Sequence, residues 1–214
     1  MGSLLIILVF LGILAAIALW GVGIYNGLVT ARNAFRNAFA QIDVQLQRRF
    51  DLIPNLVETA RAYMSHERET LEAVTAARTA AQSGLAAAKA NPGDPEAMAT
   101  LAATQGQLNG VLGRLMMVAE AYPDLKANQN MMQLTEELTS TENRVAFARQ
   151  AYNDSVMAYN NKREVFPSSV IAGMFNFDAA ALLDIPADRA EVREPITVPL
   201  RQWLIALSTL VMLR

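Results

Sequence analysis

RRFDLIPNLVETARAY, residues 48–63, sets a proline in the middle of a stretch whose apolar residues recur every three or four positions. Whether Pro54 ends a helix or is carried inside one decides how many helices the chain folds into. A proline in a helix interior removes a backbone donor and crowds the preceding turn, at a cost of about 3 kcal/mol. Yet Phe39, Leu46, Ile53 and Ala60 fall seven apart on both sides of it, so the apolar phase does not change across the proline. Phe35, Ile42, Leu56 and Tyr63 complete the stripe, the pattern of a helix that buries one side. A reversing loop would bring Gly, Ser or several polar turn residues and reset that phase. Only Asp51 and Asn55 flank the site. The spacing therefore predicts Pro54 as a kink inside one helix over residues 26–90, in preference to a break with Asp51 as N-cap.

Upstream, residues 4–24 read LLIILVFLGILAAIALWGVGI without a charge, 21 residues in all. Roughly 20 are needed to cross the hydrocarbon core as a helix. Trp20 and Tyr25 stand near its end, where amphipathic rings favour the headgroup zone. A cleaved signal peptide is the competing reading, with Ala16-Ile17-Ala18 as its site. No Lys or Arg precedes the apolar run, however, and the run continues past that site, so an uncleaved anchor over residues 1–25 is expected. Arg32 and Arg36 follow the segment and place the remainder in the cytoplasm by the positive-inside tendency. A single-pass membrane protein with its bulk in the cytoplasm is the expected localisation.

Downstream, NPGDPEA at 91–97 is a turn in which Asp94 suits an N-cap and Pro95 the first helical position. Leu101, Leu108, Leu112, Leu115, Ala119 and Tyr122 continue the helical pattern, which breaks at Pro123, with Asn128 as a new cap. Met131, Leu138, Val145, Tyr152, Tyr159 and Phe166 then recur every seven residues. Short connections make neighbouring helices antiparallel. The fold class is all-α: a transmembrane helix continuing into an antiparallel up-and-down bundle of three to four helices over residues 26–166. Residues 167–199 are punctuated by prolines and read as an extended arm with a short helix near 178–183. Residues 200–214 form an apolar tail whose 11 uncharged residues are too few to span a bilayer. That tail, with Trp203 at the membrane interface or against another subunit, has both placements open.

Composition narrows the function classes. The 18 basic and 20 acidic residues nearly balance, which argues against nucleic acid as a partner. With no cysteine and one histidine, His66, a transition-metal site is not expected, since Thr70 stands where a zinc-protease helix needs its second histidine. There is neither a nucleophile elbow nor a glycine-rich phosphate loop. Glu136-Glu137 reads as a solvated helix face, and Asn153-Asp154-Ser155 as a sequon without meaning inside a helix. No catalytic, metal-binding or cofactor-binding residues are expected, and no cofactor.

YNGLVTARN, IDVQLQRRFDLIPNLVETARAY, AYPDLKANQ, LTSTENRVAFARQAYNDSVMAYN and FPSSVIAGMF, in this order, resemble the LemA family of bacterial membrane proteins. The resemblance covers residues 25–177. It implies one N-terminal transmembrane helix, a helical bundle behind it and no catalytic residues, and it extends to relatives linked to magnetosome membranes. Phe39 stands where the family often has tryptophan. The tail at 200–214 lies outside the family pattern.

The polar residues around the proline carry the remaining signal. Arg49 occupies a seam position that its stripe expects to be apolar. One account is intrahelical pairing, such as Arg48 with Asp51, and solvent exposure. The other makes Asp43, Arg48, Arg49, Asp51 and Asn55 a registry device between helices of adjacent subunits. The repeated Tyr-Asn pairs at 152–153 and 159–160 read as core packing with hydroxyls at the seam edge. A first helix of roughly 65 residues would extend about 100 Å. A second helix of about 27 residues, at the same rise, leaves part of the first helix's stripe to the third helix or to other chains. Two functions follow: a non-enzymatic scaffold that self-associates into a homo-oligomer on membrane lipid, or an adaptor of another membrane protein such as a protease or stress-signalling component.

Overall fold

The computed structural model of the chain describes residues 2–185, and among these there are helices and no strands. Helix α1 (Gly2–Arg61) runs through Pro54 without interruption. Helices α2 (Arg68–Ala90), α3 (Pro95–Ala119), α4 (Pro123–Lys126), α5 (Gln129–Glu164) and α6 (Ser168–Met174) follow. The second half of α1 packs along α5, α2 packs along α3, and α2 lies against α1. Cross-links fix the directions: Lys89 near the end of α2 bridges Asp43 of α1 at 2.7 Å, and Asn128 before α5 donates to the Tyr63 hydroxyl at 3.0 Å. The four long helices thus run up, down, up, down.

The helix carries its proline because a neighbour replaces the missing donor. Pro54 cannot donate to the carbonyl four residues earlier, which belongs to Phe50. Arg78 of α2 donates its Nε to that oxygen at 2.7 Å. The pyrrolidine ring itself faces outward.

The expectation of one helix over 26–90 is corrected. The chain leaves the helix after Arg61 and turns over residues 62–67 before α2 begins. Met64 fills the turn, fully buried, and its N–H closes on the Ala60 carbonyl at 2.9 Å. Ala60, Met64 and Leu71 are four and seven residues apart, so the turn keeps the helical phase and hides from a periodicity argument. The portion of α1 beyond Tyr25 is consequently about as long as α5. The stripe of Phe35, Phe39, Ile42, Leu46, Ile53, Leu56 and Ala60 is buried by helices of its own chain. The surplus apolar length expected of α1 does not exist in the bundle.

Both expected caps are present. Asp94 accepts from the Ala97 N–H at 2.9 Å, and Asn128 accepts from the Met131 N–H at 3.1 Å. Between α2 and α3, Gly93 has φ +93°, a left-handed conformation that L side chains rarely adopt. A β-carbon there would also lie 3.0 Å from Ala180 and 3.1 Å from Phe35. After α5 the expected arm is also corrected: 168–174 is helical, whereas 178–183, expected as a short helix, is extended. Phe166 sits beyond the end of α5, 81% exposed, not on the buried stripe. Trp203 and the tail lie outside the described residues.

At the other end, an 18-residue window of α1 has mean hydropathy 2.9 and no buried residue. Among the described residues this is the one helix long and apolar enough to cross a membrane.

Candidate functional site: a buried arginine hub and a clasped strap

Two polar constructions hold the bundle. The first centres on Arg49, only 3% exposed in the middle of α1. Its Nη1 donates to Gln105 Oε1 at 3.3 Å, and its Nη2 to Asn109 Oδ1 at 2.7 Å and Glu142 Oε1 at 2.9 Å. One guanidinium therefore joins α1 to α3 and α5. Burial lowers its affinity for a proton from the ordinary arginine range, and the charge and hydrogen bond of Glu142 oppose that shift. Nε of Arg49 and Nε2 of Gln105 remain buried and unpaired, so the hub carries a desolvation cost alongside its bonds.

The second construction clasps residues 177–185, which run extended and antiparallel along α5. Asn160 donates to the Ala180 carbonyl at 2.9 Å and accepts from the Ala180 N–H at 3.0 Å. Asn153 does the same at Leu183, at 3.1 and 2.9 Å. The Tyr159 and Tyr152 hydroxyls donate to the Asp178 and Ala181 carbonyls, each at 2.8 Å, and Arg163 Nε donates to the Phe177 carbonyl at 2.6 Å. The Ala181 N–H finds the Gly93 carbonyl at 2.8 Å. Side-chain amides thus perform the part of a neighbouring strand.

The geometry explains the repeat. Seven residues of α-helix rise about 10.5 Å, and three residues of extended chain advance about 10 Å. Asn153 and Asn160, seven apart, therefore meet Leu183 and Ala180, three apart, in register. Behind them Tyr152 and Tyr159 pack on Phe35, with ring centroids at 6.3 and 5.2 Å, and Tyr152 packs on Phe39 at 5.8 Å. Burial pushes the Tyr152 phenol well above its ordinary range. It raises Tyr159 too, against the pull of Arg32, Arg163 and Arg36.

The proline-flanking residues separate by location. Arg49 turns inward to its own chain, while Arg48, Asp51 and Asn55 face outward. Asp43, half-buried, pairs with Lys89. At the membrane end, Trp20 is exposed, whereas Tyr25 packs edge-on against Phe175 and Phe177 at 4.9 and 5.5 Å. His66 is exposed in the α1–α2 turn. Among the described residues no group of three His, Cys, Asp or Glu side chains is placed to hold a metal ion. Sequence reasoning missed Gln105, and it noticed the Tyr-Asn repeat without finding what Asn153 and Asn160 bind. Gln105 had a signal: it interrupts the seven-residue series of Met98, Leu112 and Ala119 just as Arg49 interrupts Ile42 and Leu56.

The LemA family model matches residues 38–199, a stretch that contains the hub, the clasp and the strap. The chain belongs to the LemA family. It is 25% identical over 178 residues to Protein LemA of Metamycoplasma hominis, covering 80% of this chain and 77% of that one. It is 26% identical over 174 residues to magnetosome protein MamQ 2 of Paramagnetospirillum magneticum, covering 73% of this chain. MamQ of Magnetospirillum gryphiswaldense is 25% identical over 171 residues, or 72% of this chain. The match spans under two thirds of both magnetosome proteins, 63% and 62% of their lengths. In this LemA-family chain the buried polar residues serve architecture: they bind helices to one another and the strap to the bundle.

Proposed function

We propose that the chain is a membrane-anchored, non-enzymatic scaffold that self-associates into a homo-oligomer on the bacterial cytoplasmic membrane, with its bundle on the cytoplasmic side. Arg32 and Arg36 just after the apolar segment support that orientation. The observation that carries the reading is a groove of about 750 Å³ at the end of the bundle far from that segment, walled by Met116, Ala119, Leu125, Met131 and Met132. Met132 in its wall stands 52% exposed. Methionine adapts its shape and recurs on surfaces that bind other polypeptides, and an exposed apolar patch marks an interaction site. Relatives include proteins named for the magnetosome, and the apolar segment of α1 supports a role at a membrane for this chain. Asp43, Arg48, Asp51 and Asn55 would line the contact between subunits along α1.

The native mass of the full chain in mild detergent tests this. A uniform assembly that Met132→Asp breaks into smaller species supports it, and a monomer overturns it. The same groove also favours a second reading, an adaptor for another membrane protein. In that case the wild-type chain is monomeric and holds its partner through Met132.

A further inference from the structure

Residues 165–177, VFPSSVIAGMFNF, contain no charged side chain. Within them α6 turns Ala172 inward and packs on α1 and α5. Val165, Phe166, Val170, Met174 and Phe175, in α6 and its flanks, are all exposed, from 52% to 81%, with Ser169 and Asn176 exposed among them. Water is a poor solvent for such a cluster.

Its height along α1 says what covers it. Ile171 lies 3.9 Å from where a β-carbon on Gly21 would sit, and the Phe175 ring centroid lies 4.9 Å from that of Tyr25. The cluster therefore meets α1 where its apolar segment ends. Residues 4–20, before that contact, rise about 26 Å at 1.5 Å per residue, close to the roughly 30 Å of a hydrocarbon core. A bilayer threaded by those residues has its headgroup boundary at α6. Arg32, stacked 4.8 Å over the Phe177 ring, and Lys162 at the end of α5 supply positive charge just above, as at an interfacial contact, while Arg163 there is paired with Glu164 at 3.7 Å.

We propose that α6 with its flanks, residues 165–175, is a second lipid contact: a foot lying in the interfacial zone beside the anchor and fixing how the bundle stands on the membrane. This rests on the reading of α1 as the membrane crossing. The foot restrains the angle of α1, because Tyr25 and Gly21 are gripped on one side by Phe175 and Ile171.

The chain has no cysteine, so single labels report one position each. Full-length Leu11→Cys, Phe166→Cys, Val170→Cys and Met117→Cys proteins carry an environment-sensitive fluorophore in phosphatidylcholine–phosphatidylglycerol vesicles brominated either near the headgroup or deep in the acyl chain. All four positions are exposed, and surface substitutions leave folding nearly unchanged. Labels at 166 and 170 lose most of their emission to the shallow bromines, 11 loses its emission to the deep ones, and 117 is unaffected. Quenching at 11 without quenching at 166 and 170 overturns the foot and leaves the crossing intact. No quenching at 11 overturns the crossing and the foot together. Labels at 166 and 170 shielded from both lipid bromines and aqueous iodide indicate a protein cover, which also overturns the foot.

Discussion

Arg78 Nε lies 2.7 Å from the Phe50 carbonyl oxygen, the acceptor that Pro54 leaves without its helical donor. The proline and the arginine are a matched pair on different helices. Replacing Arg78 with Met keeps the side-chain bulk and strands the carbonyl, which should destabilise the protein by about 1–3 kcal/mol. Pro54→Ala restores the backbone donor and should shrink that loss. A denaturant double-mutant cycle on the full chain, followed by helical circular dichroism, measures the coupling; additive effects would refute it.

The Arg49 hub should behave as an interior device of one subunit. Arg49→Ala leaves Gln105 and Asn109 without their donor and opens a cavity, costing about 3–5 kcal/mol. Arg49→Met fills the space yet still orphans the fully buried Gln105. The double variant with Gln105→Leu should therefore recover most of the stability. Glu142→Gln keeps a hydrogen-bond acceptor but removes the carboxylate that offsets the buried guanidinium, and should cost about 1–3 kcal/mol. Native mass should not change with Arg49→Met, because its partners belong to its own chain.

The tyrosines predict an alkaline limb. Burial raises the phenols of Tyr152 and Tyr159 above the ordinary 10.0. The unfolded chain ionises them first, so their contribution is complete below about pH 10 and is lost as pH rises above it. Thermal unfolding against pH should show wild type weakening above that point. Tyr152→Phe should flatten the limb while lowering stability at neutral pH through loss of the bond to Ala181.

Asn153→Leu and Asn160→Leu each remove two hydrogen bonds to the strap. Amide exchange of residues 177–185 should accelerate sharply while α1–α3 core exchange changes little. Uniform acceleration everywhere would show that the strap does not open alone.

Gly93→Ala should cost more than the ordinary 1 kcal/mol scale of a glycine change, because strained φ and the contact with Ala180 add together. The loss should fall selectively on strap protection, read by the same exchange experiment.

Much of the fold was legible because helices announce themselves by apolar spacing and caps. The apolar segment of α1, the caps at Asp94 and Asn128 and the stripes of α3 and α5 all follow from residue type and position. The turn at 62–67 was not legible, because Met64 and Leu71 keep the seven-residue phase through it. The strap failed for a different reason. DAAALL, 178–183, is rich in helix formers, and tertiary bonds from Asn153 and Asn160 override that preference. Of the site residues, Arg49 stood out as a charge on an apolar stripe. Its partner Gln105 was visible only by comparing two stripes, and the asparagines required knowing what lay across from α5.

Residues 177–185 emerge in synthesis after every helix they touch, so the clasp closes only once the bundle helices have been made. A nascent polypeptide stopped just after α5 could close four helices and still present two phenols and two amides along a bare flank. Early termination there would yield a molecule missing a side, not one with a frayed end, and that open flank is what a quality-control protease would meet.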